Sequence, residues 1–572
     1  MTATGGATDP RTRATPPAYV APLELLERAT AWRDDDPDAA MREELDAVIE
    51  AAVSGDAAAG ADLADRFVGM LEFGTAGLRG ALGAGPNRMN RSVVIRAAAG
   101  LTAYLKETEP HPLVVIGLDA RHNSDVFAAD TAAVVVAAGG RAMVLPRPLP
   151  TPVLAFAIRH LGADAGVMVT ASHNPAQDNG YKVYLSDGSQ IVPPSDADIA
   201  AHIAKVRQVA DVPRAPSGWT TLNDDLLEAY LDAAAAVVAP DGARELSIVH
   251  TALHGVGSAV IVAAFARAGF SAPIVVPSQS EPDPEFPTVV FPNPEEPGAI
   301  DAALALAARE HADLVLANDP DADRCAAAVT DPAATTPDNP SGWRMLRGDE
   351  VGSLLGAHIL ARGVAADDVF ANSIVSSRLL AAMAAGAGIR HQETLTGFKW
   401  ISRVDGLRYG YEEALGYCVD PLQVRDKDGV SAALMLAEMA AGLRAQGRSL
   451  LDVLDDLALA HGVHATDSFA VRVDDLSLIG TLMSRLREEP PTDIGGVPVA
   501  RFDDLSEGSE QLPPTDGLRY HLQDGSRVIV RPSGTEPKLK VYLRSSSRSK
   551  PQRVWLPPRP RPEHGWTGWA PR

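Results

Sequence analysis

One alternation repeats along this chain and limits what it can fold into. Short runs rich in β-branched residues, such as LVVIGLD, GVMVTA, LSIVHT and ADLVLAND, are separated by alanine-rich stretches such as FAADTAAVVVAAG and AVIVAAFARAG. Strands that alternate with helices form βαβ units, in which the strands are mostly parallel. Because the pattern restarts near residues 112, 247, 313 and 368, it predicts an α/β protein built from several domains.

Length and linker-like segments suggest how the chain divides. With 572 residues, it can form about three to five domains of ordinary size. Linker signals fall near 211–219, 331–343 and 460–467 and predict boundaries there. The predicted segments are a disordered arm at 1–20, four domains at 21–215, 216–340, 341–460 and 461–544, and an atypical tail rich in Pro, Arg and Trp at 545–572.

Composition excludes several classes of function. With 51 Lys and Arg against 74 Asp and Glu, the net charge is −23, which argues against nucleic-acid binding because that needs a basic face. Cys325 and Cys418 lie far apart and fit neither a disulfide framework nor a CxxC metal site. The chain shows no secretory signal and no run of 18 apolar residues, so we expect a cytoplasmic protein without a membrane partner.

The segment GVMVTASHNPAQDNGYKVY, residues 166–184, places Ser172 in a loop after a buried type of strand, with Lys182 ten residues on. A serine beside a histidine suggests a hydrolase. However, neighbours in an extended chain point to opposite sides, so we expect His173 to be poorly placed as a base. No GxSxG elbow surrounds the serine. Taken alone, the loop has a less favoured alternative interpretation as a polar turn in which Ser172 acts as a cap.

The segment ADLVLANDPDADRCAAAV, residues 312–329, carries Asp319, Asp321 and Asp323 directly after an apolar strand. In an extended loop these three carboxylates project the same way and form an oxygen cage suited to Mg²⁺. An EF-hand loop would need Gly at its sixth position and Glu at its twelfth, where this chain has Arg324 and Thr330. A solvated acidic turn is less favourable, because close carboxylates repel one another unless a cation neutralises them.

Two later segments have the chemistry of phosphate and sugar recognition. In VIVRPSGTEPKLKVYLR, residues 528–544, a strand ends in a loop with a guanidinium, two hydroxyls and free backbone N–H groups, which together suit a phosphate. An ordinary Pro-Ser-Gly turn is the alternative. In TLTGFKWISRVDGLRYGYEEALGYCVDPLQVRDKDG, residues 394–429, Glu412 and Glu413 suit sugar hydroxyls, and Lys399 and Lys427 could reach an anion.

An acidic and a basic residue also follow the strand before the serine loop. The segment GLDARHNSD, residues 117–125, holds Asp119, Arg121 and His122. We interpret Asp119 and Arg121 as a structural ion pair that supports the serine loop.

Together these segments resemble the α-D-phosphohexomutase family. TASHNP is similar to its phosphoserine loop, DPDADR to its magnesium loop, YEEALG to its sugar loop and RPSGTEPK to its phosphate loop, in the family's order. EFGTAGLRG at 72–80 resembles its N-terminal segment, and TLTGFKWI, FPNPEEPGA and RDKDG resemble its longer phosphoglucomutase-like and phosphopentomutase-like branch. The resemblance covers about residues 65–544. It implies an α/β fold of four domains around a central cleft, three with mixed βαβ sheets and a smaller α+β C-terminal domain.

The resemblance also implies an activity: a Mg²⁺-dependent phosphosugar mutase that links sugar 1-phosphates with 6- or 5-phosphates through a phosphoserine and a sugar 1,6-bisphosphate. Phosphoglucomutase or phosphomannomutase activity is the leading hypothesis. The alternatives are a phosphopentomutase, a sugar-1,6-bisphosphate synthase, a metal-dependent phosphatase, or a sugar-phosphate binder without catalysis.

The family's motifs assign roles to residues here. The implied catalytic residues are Ser172, Lys182 and Arg324, and the implied metal ligands are Ser172, Asp319, Asp321 and Asp323. The implied sugar contacts are Thr396, Gly397, Glu412 and Ala414, and the implied phosphate contacts are Arg79, Lys427, Arg531, Ser533, Gly534 and Thr535. Ala414 departs from the family, since many relatives have Ser there, and this removes one hydroxyl contact.

Overall fold

The computed structural model describes residues 21–73, 77–473, 477–510, 512–533 and 538–547. The predicted disordered arm, Gly534 and Thr535 of the phosphate loop, and the tail from residue 548 lie outside the described residues.

The first domain begins with three amphipathic helices and continues into a six-stranded mixed sheet. Asp38 and Asp56 cap two of these helices by accepting hydrogen bonds from backbone N–H groups of the first turn. The elements are α1 (Leu23–Asp35), α2 (Ala39–Val53), α3 (Ala57–Arg66), β1 (Leu78–Ala81), α4 (Arg91–Leu105), β2 (Leu113–Leu118), α5 (Ser124–Ala137), β3 (Arg141–Val144), α6 (Thr151–His160), β4 (Ala165–Val169), β5 (Asp178–Leu185), α7 (Ser195–Ile203) and β6 (Thr220–Thr221). The strand order is β1-β5-β4-β2-β3-β6, with β4, β2, β3 and β6 parallel.

The second domain is a five-stranded mixed sheet with helices packed against it. Its elements are α8 (Asp225–Ala235), β7 (Ile248–Thr251), α9 (Gly257–Arg267), β8 (Ile274–Val275), α10 (Asp301–Glu310), β9 (Leu314–Ala317), β10 (Ala326–Thr330) and β11 (Trp343–Met345). The order is β11-β10-β9-β7-β8, in which β8, β7 and β9 are parallel. The acidic segment therefore joins parallel β9 to antiparallel β10.

The third domain has a four-stranded mixed sheet of order β13-β12-β14-β15. Its elements are α11 (Gly348–Arg362), β12 (Val369–Ser373), α12 (Leu379–Ala387), β13 (Arg390–Thr394), α13 (Phe398–Ile401), β14 (Leu407–Glu412), β15 (Gly416–Cys418), α14 (Gly429–Ala445) and α15 (Leu450–His461). Since β14 and β15 form an antiparallel hairpin, residues 413–415 are the turn of that hairpin and Glu412 ends β14.

The fourth domain is smaller and its sheet is entirely antiparallel. Its elements are β16 (Val463–Arg472), α16 (Ser477–Glu488), β17 (Asp493–Ile494), β18 (Val497–Asp504), β19 (Leu518–Leu522), β20 (Arg527–Pro532) and β21 (Lys538–Ser547). The strand order is β16-β21-β20-β19-β18-β17. Three mixed α/β sheets followed by a small α+β domain confirm the predicted fold class.

The first three domains share one hydrophobic core. Its buried members include Val153 of α6, Phe265 of α9, Leu355 of α11 and Leu436 of α14. Burial of apolar surface between these helices fixes the three sheets relative to one another.

The fourth domain has its own core, which includes Met483, Leu518 and Tyr520. A small cluster that includes Ile374 of the third domain and Ile529 of the fourth joins the two. Across the described ranges, no helix combines the length and the apolar character needed to cross a bilayer.

Candidate active site

The serine loop is held in place by a buried arginine. One Nη of Arg121 donates to the carbonyl oxygens of Ser172 (2.7 Å) and Asn174 (2.5 Å), and the other to those of Pro175 (2.7 Å) and Asp178 (3.0 Å). Asp119 pairs with Arg121 Nε at 3.4 Å. The geometry agrees with the interpretation of this pair as a support for the serine loop, since it binds four carbonyl groups that would otherwise be free to move.

Ser172 has a left-handed backbone conformation, with φ of 54°. Its N–H donates to Thr170 Oγ1 at 2.9 Å, which stabilises this sharp turn at the end of β4. A non-glycine residue in this region costs free energy and is concentrated at functional sites. The turn aims the hydroxyl of a residue that is only 3% exposed toward the second domain.

The expectation for His173 was wrong. Its Nδ1 lies 3.1 Å from Ser172 Oγ, because the left-handed turn at Ser172 removes the extended geometry on which the expectation rested. Burial, together with Arg324 and Arg79, lowers the pKa of His173 well below its ordinary value. The imidazole is therefore neutral and has one nitrogen able to accept a proton.

The acidic loop contacts the serine loop. Ser172 Oγ donates to Asp319 Oδ2 at 2.8 Å, and carboxylate oxygens of Asp319, Asp321 and Asp323 all lie within 4.8 Å of one another. The turn between them depends on Ala322, with φ of 52°, and on Gly255, whose missing side chain lets the backbone approach Pro320. The structure thus brings together the serine and the three acids predicted from the sequence.

Two of these buried carboxylate oxygens have no hydrogen-bond partner among the described residues. They are Oδ1 of Asp321 and Oδ1 of Asp323, whereas the Oδ2 atoms of both residues accept from Lys182 at 2.6 and 2.9 Å. Leaving a buried carboxylate oxygen unpaired is costly. With Asp319 Oδ2 and Ser172 Oγ beside them, these oxygens form a donor set that fits a hard divalent cation such as Mg²⁺.

Cations on two other domains compensate this concentration of negative charge. Lys427 Nζ lies 3.3 Å from Asp323 Oδ2. Burial opposes the charge on Lys182, but Asp321 and Asp323 outweigh this effect and raise the pKa of the lysine. Lys182 therefore keeps its proton and can stabilise negative charge. Burial and the two neighbouring acids raise the pKa of Asp319 to about 8.

Arg324 lies between the acidic loop and the sugar loop. Its backbone N–H donates to Asp319 Oδ1 at 3.1 Å, and it forms a bridge with Gly416 of β15. Gly429 must be glycine here, because a Cβ would lie 2.2 Å from the Arg324 carbonyl oxygen. Close backbone contact thus joins the second and third domains at the acids.

The two glutamates of the sugar loop differ in their surroundings. Glu413 Oε2 accepts from Ser373 Oγ and Ser376 Oγ, both at 3.0 Å, so this carboxylate anchors the loop. Burial raises the pKa of Glu412, and Lys427 and Arg324 oppose the rise. Glu412 is therefore the glutamate of this pair that faces the cationic side of the site.

Thr396, Gly397 and Ala414 occupy half-buried loop positions. Gly397 has φ of 106° and immediately precedes α13. Phe398, the first residue of α13, has its ring centroid 5.8 Å from Lys427 Nζ. The Thr-Gly turn is thus near the lysine that contacts the acids.

Of the predicted phosphate-binding residues, Arg531 lies near the end of β20, which pairs antiparallel with β21, and Ser533 directly follows β20. Ser533 N donates to Lys538 O at 2.8 Å. Arg531 is opposite Lys540 on β21. Burial, Lys538 and Arg531 lower the pKa of Lys540. This concentration of positive charge suits an anion. Lys540 had not been predicted, although the alternating KLK pattern puts Lys538 and Lys540 on one face of a strand.

Arg79 lies on β1 and donates to Asn174 Oδ1 at 3.2 Å, which puts its guanidinium beside the serine loop.

A further site residue not predicted from the sequence is Thr151, whose hydroxyl donates to Asp321 Oδ2 at 2.6 Å. Thr151 and Asp321 are 170 positions apart in the chain, and no local motif predicts a contact over that distance.

Family profiles match all four domains that contribute residues to the candidate site. Profiles described as phosphoglucomutase/phosphomannomutase alpha/beta/alpha domains I, II and III match residues 70–210, 228–332 and 347–459, and the C-terminal domain profile matches 471–554. The chain is 48% identical over 460 residues to a probable phosphomannomutase of Haemophilus influenzae, covering 80% of this chain and 92% of that protein.

More distant relatives have other names. Human phosphopentomutase is 34% identical, covering 83% of this chain and 85% of that protein, and a phosphoglucomutase of Staphylococcus epidermidis is 32% identical, covering 83% and 90%. The solved structure of a phosphoglucomutase/phosphomannomutase family protein from Burkholderia thailandensis matches with a TM-score of 0.63 at 18% identity, covering 83% of this chain and 93% of that one. This structural likeness concerns the fold.

Proposed function

The chain belongs to the α-D-phosphohexomutase family and is an intramolecular phosphotransferase of the phosphoglucomutase/phosphomannomutase type, and we propose that it interconverts sugar 1-phosphates and 6-phosphates through a phosphoserine at Ser172. The observation that carries the proposal is the 2.8 Å contact between Ser172 Oγ and Asp319 Oδ2. It joins a serine in a constrained turn to a buried triad of acids with unpaired oxygens.

The residues that would hold Mg²⁺ are Ser172, Asp319, Asp321 and Asp323. A bound Mg²⁺ would supply Lewis-acid stabilisation of the charge on a phosphoryl oxygen. The unpaired Oδ1 atoms of Asp321 and Asp323 support this assignment of ligands.

The transfer itself is an in-line displacement at phosphorus. A sugar hydroxyl oxygen forms the new bond to phosphorus as the bond from phosphorus to Ser172 Oγ breaks, and the proton lost by the sugar hydroxyl is balanced by one gained at Ser172 Oγ. A second transfer in the opposite sense returns a phosphoryl group to the serine. Such reactions depend mainly on positioning and charge stabilisation. Lys182 and Arg324 supply positive charge at the serine, and neutral His173 can hold a proton at Ser172 Oγ.

The sugar bisphosphate must turn end for end between the two transfers, so the site has to grip a phosphate at each end of the sugar. A bisphosphate carries roughly −3 to −4 at neutral pH. We propose that Arg79 and Lys427 lie at the serine end, and that Arg531, Ser533, Gly534 and Thr535, with Lys538 nearby, hold the distal phosphate. Thr396, Gly397, Glu412 and Ala414 would contact the sugar between them. We propose that the ligands are small sugar phosphates. We also propose that the enzyme acts in the cytoplasm.

A phosphopentomutase is the second candidate, because relatives of that name match most of this chain. A sugar-1,6-bisphosphate synthase would use the same serine and acids. The choice depends on the hydroxyls read by the sugar loop, where Ala414 provides no polar side chain.

One assay tests the proposal and separates the candidates. Purified protein, primed with glucose 1,6-bisphosphate, is assayed with glucose, mannose and ribose 1-phosphates, with Mg²⁺ and with EDTA. We expect Mg²⁺-dependent formation of the 6-phosphate from a hexose 1-phosphate. Turnover of ribose 1-phosphate alone would favour the pentomutase, and lasting bisphosphate formation from a phosphoryl donor would favour the synthase. Free phosphate release without isomerisation, or binding without turnover, would contradict the mutase.

A further inference from the structure

Thr151 is a buried threonine at the junction of the first two domains. It is the first residue of α6, follows Pro150, and is completely buried. Two of its polar atoms bind one residue of the acidic loop: Oγ1 donates to Asp321 Oδ2 at 2.6 Å, and the backbone N–H donates to the Asp321 carbonyl oxygen at 2.9 Å. The first N–H groups of a helix have no partner within the helix, so α6 uses one of them to bind the second domain.

The side-chain bond determines which carboxylate oxygen is available. Asp321 Oδ2 accepts hydrogen bonds from both Thr151 and Lys182, each at 2.6 Å. Asp321 Oδ1 is buried and has no hydrogen-bond partner among the described residues. Two donors on one oxygen fix the plane of the carboxylate and leave the other oxygen free to bind a cation.

The two donors differ in what they can do alone. Lys182 also donates to Asp323 Oδ2 at 2.9 Å, so its ammonium is shared between two acids and would allow either carboxylate to rotate about it. Thr151 contacts Asp321 and is held by the start of a rigid helix. The threonine hydroxyl is therefore the group that selects the rotamer of Asp321.

We propose that Thr151 is a positioning residue for the metal site, which acts by orienting Asp321 and by fixing the acidic loop against the domain that carries Ser172. The inference rests on the proposed function, since it requires Asp321 to be a metal ligand. Groups that orient metal ligands typically change metal affinity by about 10–100-fold when they are removed.

The experiment measures Mn²⁺ binding to the full chain by electron paramagnetic resonance, with Mg²⁺ competition, so that it does not depend on activity. Thr151→Val keeps the shape and removes the hydroxyl, and we expect it to weaken Mn²⁺ binding by about tenfold or more. Thr151→Ser restores the donor, and we expect binding close to that of the wild type. Thr102→Val is the matched control: Thr102 is a buried threonine of α4 that bonds the Ala98 carbonyl of its own helix.

Activity gives a second readout. If Thr151 only orients a ligand, excess Mg²⁺ should restore most of the turnover of Thr151→Val, with the sugar-phosphate KM little changed. Should Thr151→Val fail to fold, Thr151→Ala and Thr151→Ser are compared in the same titration, and the alanine variant alone should show weak binding.

Two outcomes overturn the inference. Wild-type Mn²⁺ affinity in folded Thr151→Val would show that the hydroxyl does not orient Asp321. Equal weakening in Thr151→Val, Thr151→Ser and Thr102→Val would show a general loss of packing. If the wild type binds no Mn²⁺, the proposed metal site itself is refuted. If the wild type binds Mn²⁺ and Thr151→Val binds it equally well, only the role of Thr151 is refuted.

Discussion

Ser172 Oγ lies 2.8 Å from Asp319 Oδ2, although 147 positions separate the two residues in the chain. The serine comes from the first domain and the acid from the second, and the shared core of the first three domains holds these two domains in contact. The position at which we propose phosphoryl transfer is therefore an interdomain contact.

Replacing Ser172 by Ala should abolish mutase turnover, with a loss of at least about a thousandfold in kcat, since the group that accepts and returns the phosphoryl group is removed. Binding of glucose 1-phosphate, measured by calorimetry, should persist because the phosphate contacts remain. Ser353→Ala, at a buried serine that bonds its own helix, is the control. Turnover of Ser172→Ala near that of the wild type would refute the nucleophile assignment.

Replacing Lys182 by Met should destabilise the metal-free protein. The ammonium bonds Asp321 and Asp323 in a buried site, and removing one partner of a buried ion pair costs about 3–5 kcal/mol. In urea unfolding with EDTA, we expect a loss of that order, and Mg²⁺ should stabilise the variant more than the wild type because the cation replaces the missing charge.

Lys106→Met serves as the control for this measurement, because Lys106 is exposed and its ammonium donates to the Ala138 carbonyl oxygen rather than to an acid. An equal effect of Mg²⁺ on the stability of Lys182→Met and of the wild type would contradict the proposed neutralisation of the acids by Lys182.

Arg527 should control how the fourth domain sits on the third. This buried guanidinium on β20 bonds Glu393 Oε1 at 2.7 Å and the Ile374 carbonyl at 2.6 Å. The residues after Ile374 include Ser376, which holds Glu413 of the sugar loop. We expect Arg527→Met to lower kcat/KM by about tenfold or more and to increase the fraction of bisphosphate released per turnover, because removing a buried charge partner costs several kcal/mol.

Arg519→Met is the matched control, since Arg519 pairs with Asp503 inside the fourth domain. If both arginine variants release the same fraction of bisphosphate, the contact between the third and fourth domains has no special role in retaining the intermediate.

Lys399 should give the protein a distinctive dependence of stability on pH. Its side chain is 5% exposed, its Nζ lies 5.4 Å from the Trp400 ring centroid, and burial lowers its pKa to about 8. The unfolded chain keeps this proton up to about pH 10.4. Between these values the unfolded state binds more protons, so the free energy of unfolding should rise with pH.

We therefore expect Lys399→Met to be more stable than the wild type at pH 7, by roughly 1–3 kcal/mol, with the difference shrinking from pH 8 to pH 10. Urea unfolding across this range measures it, with Lys205→Met at an exposed position as the control. If the difference in free energy of unfolding between Lys399→Met and the wild type stays constant with pH, burial does not lower the pKa of Lys399.

Local sequence patterns predicted the kinds of element, and the motifs resembling the family implied the four-domain fold class and the candidate site residues. The alternating runs predicted βαβ units with mostly parallel strands, and the mixed sheets were implied by the family resemblance. The spacing of Asp319, Asp321 and Asp323 predicted a cation site because three acids need a neutralising partner. The expectation for His173 failed because the left-handed turn at Ser172 is a backbone choice that depends on Arg121 and Thr170. Thr151 and Lys540 were missed because their roles depend on partners from distant segments.

The kinds of element, the chemistry of each loop and the family follow from the amino-acid order, since these depend on residues close together along the chain. The folded arrangement was needed to show which oxygens of Asp321 and Asp323 have no hydrogen-bond partner among the described residues, which glutamate of the sugar loop is an anchor, and which lysines contact the acids. Those outcomes depend on distances between domains, and such distances are set when the shared core packs rather than by any local pattern.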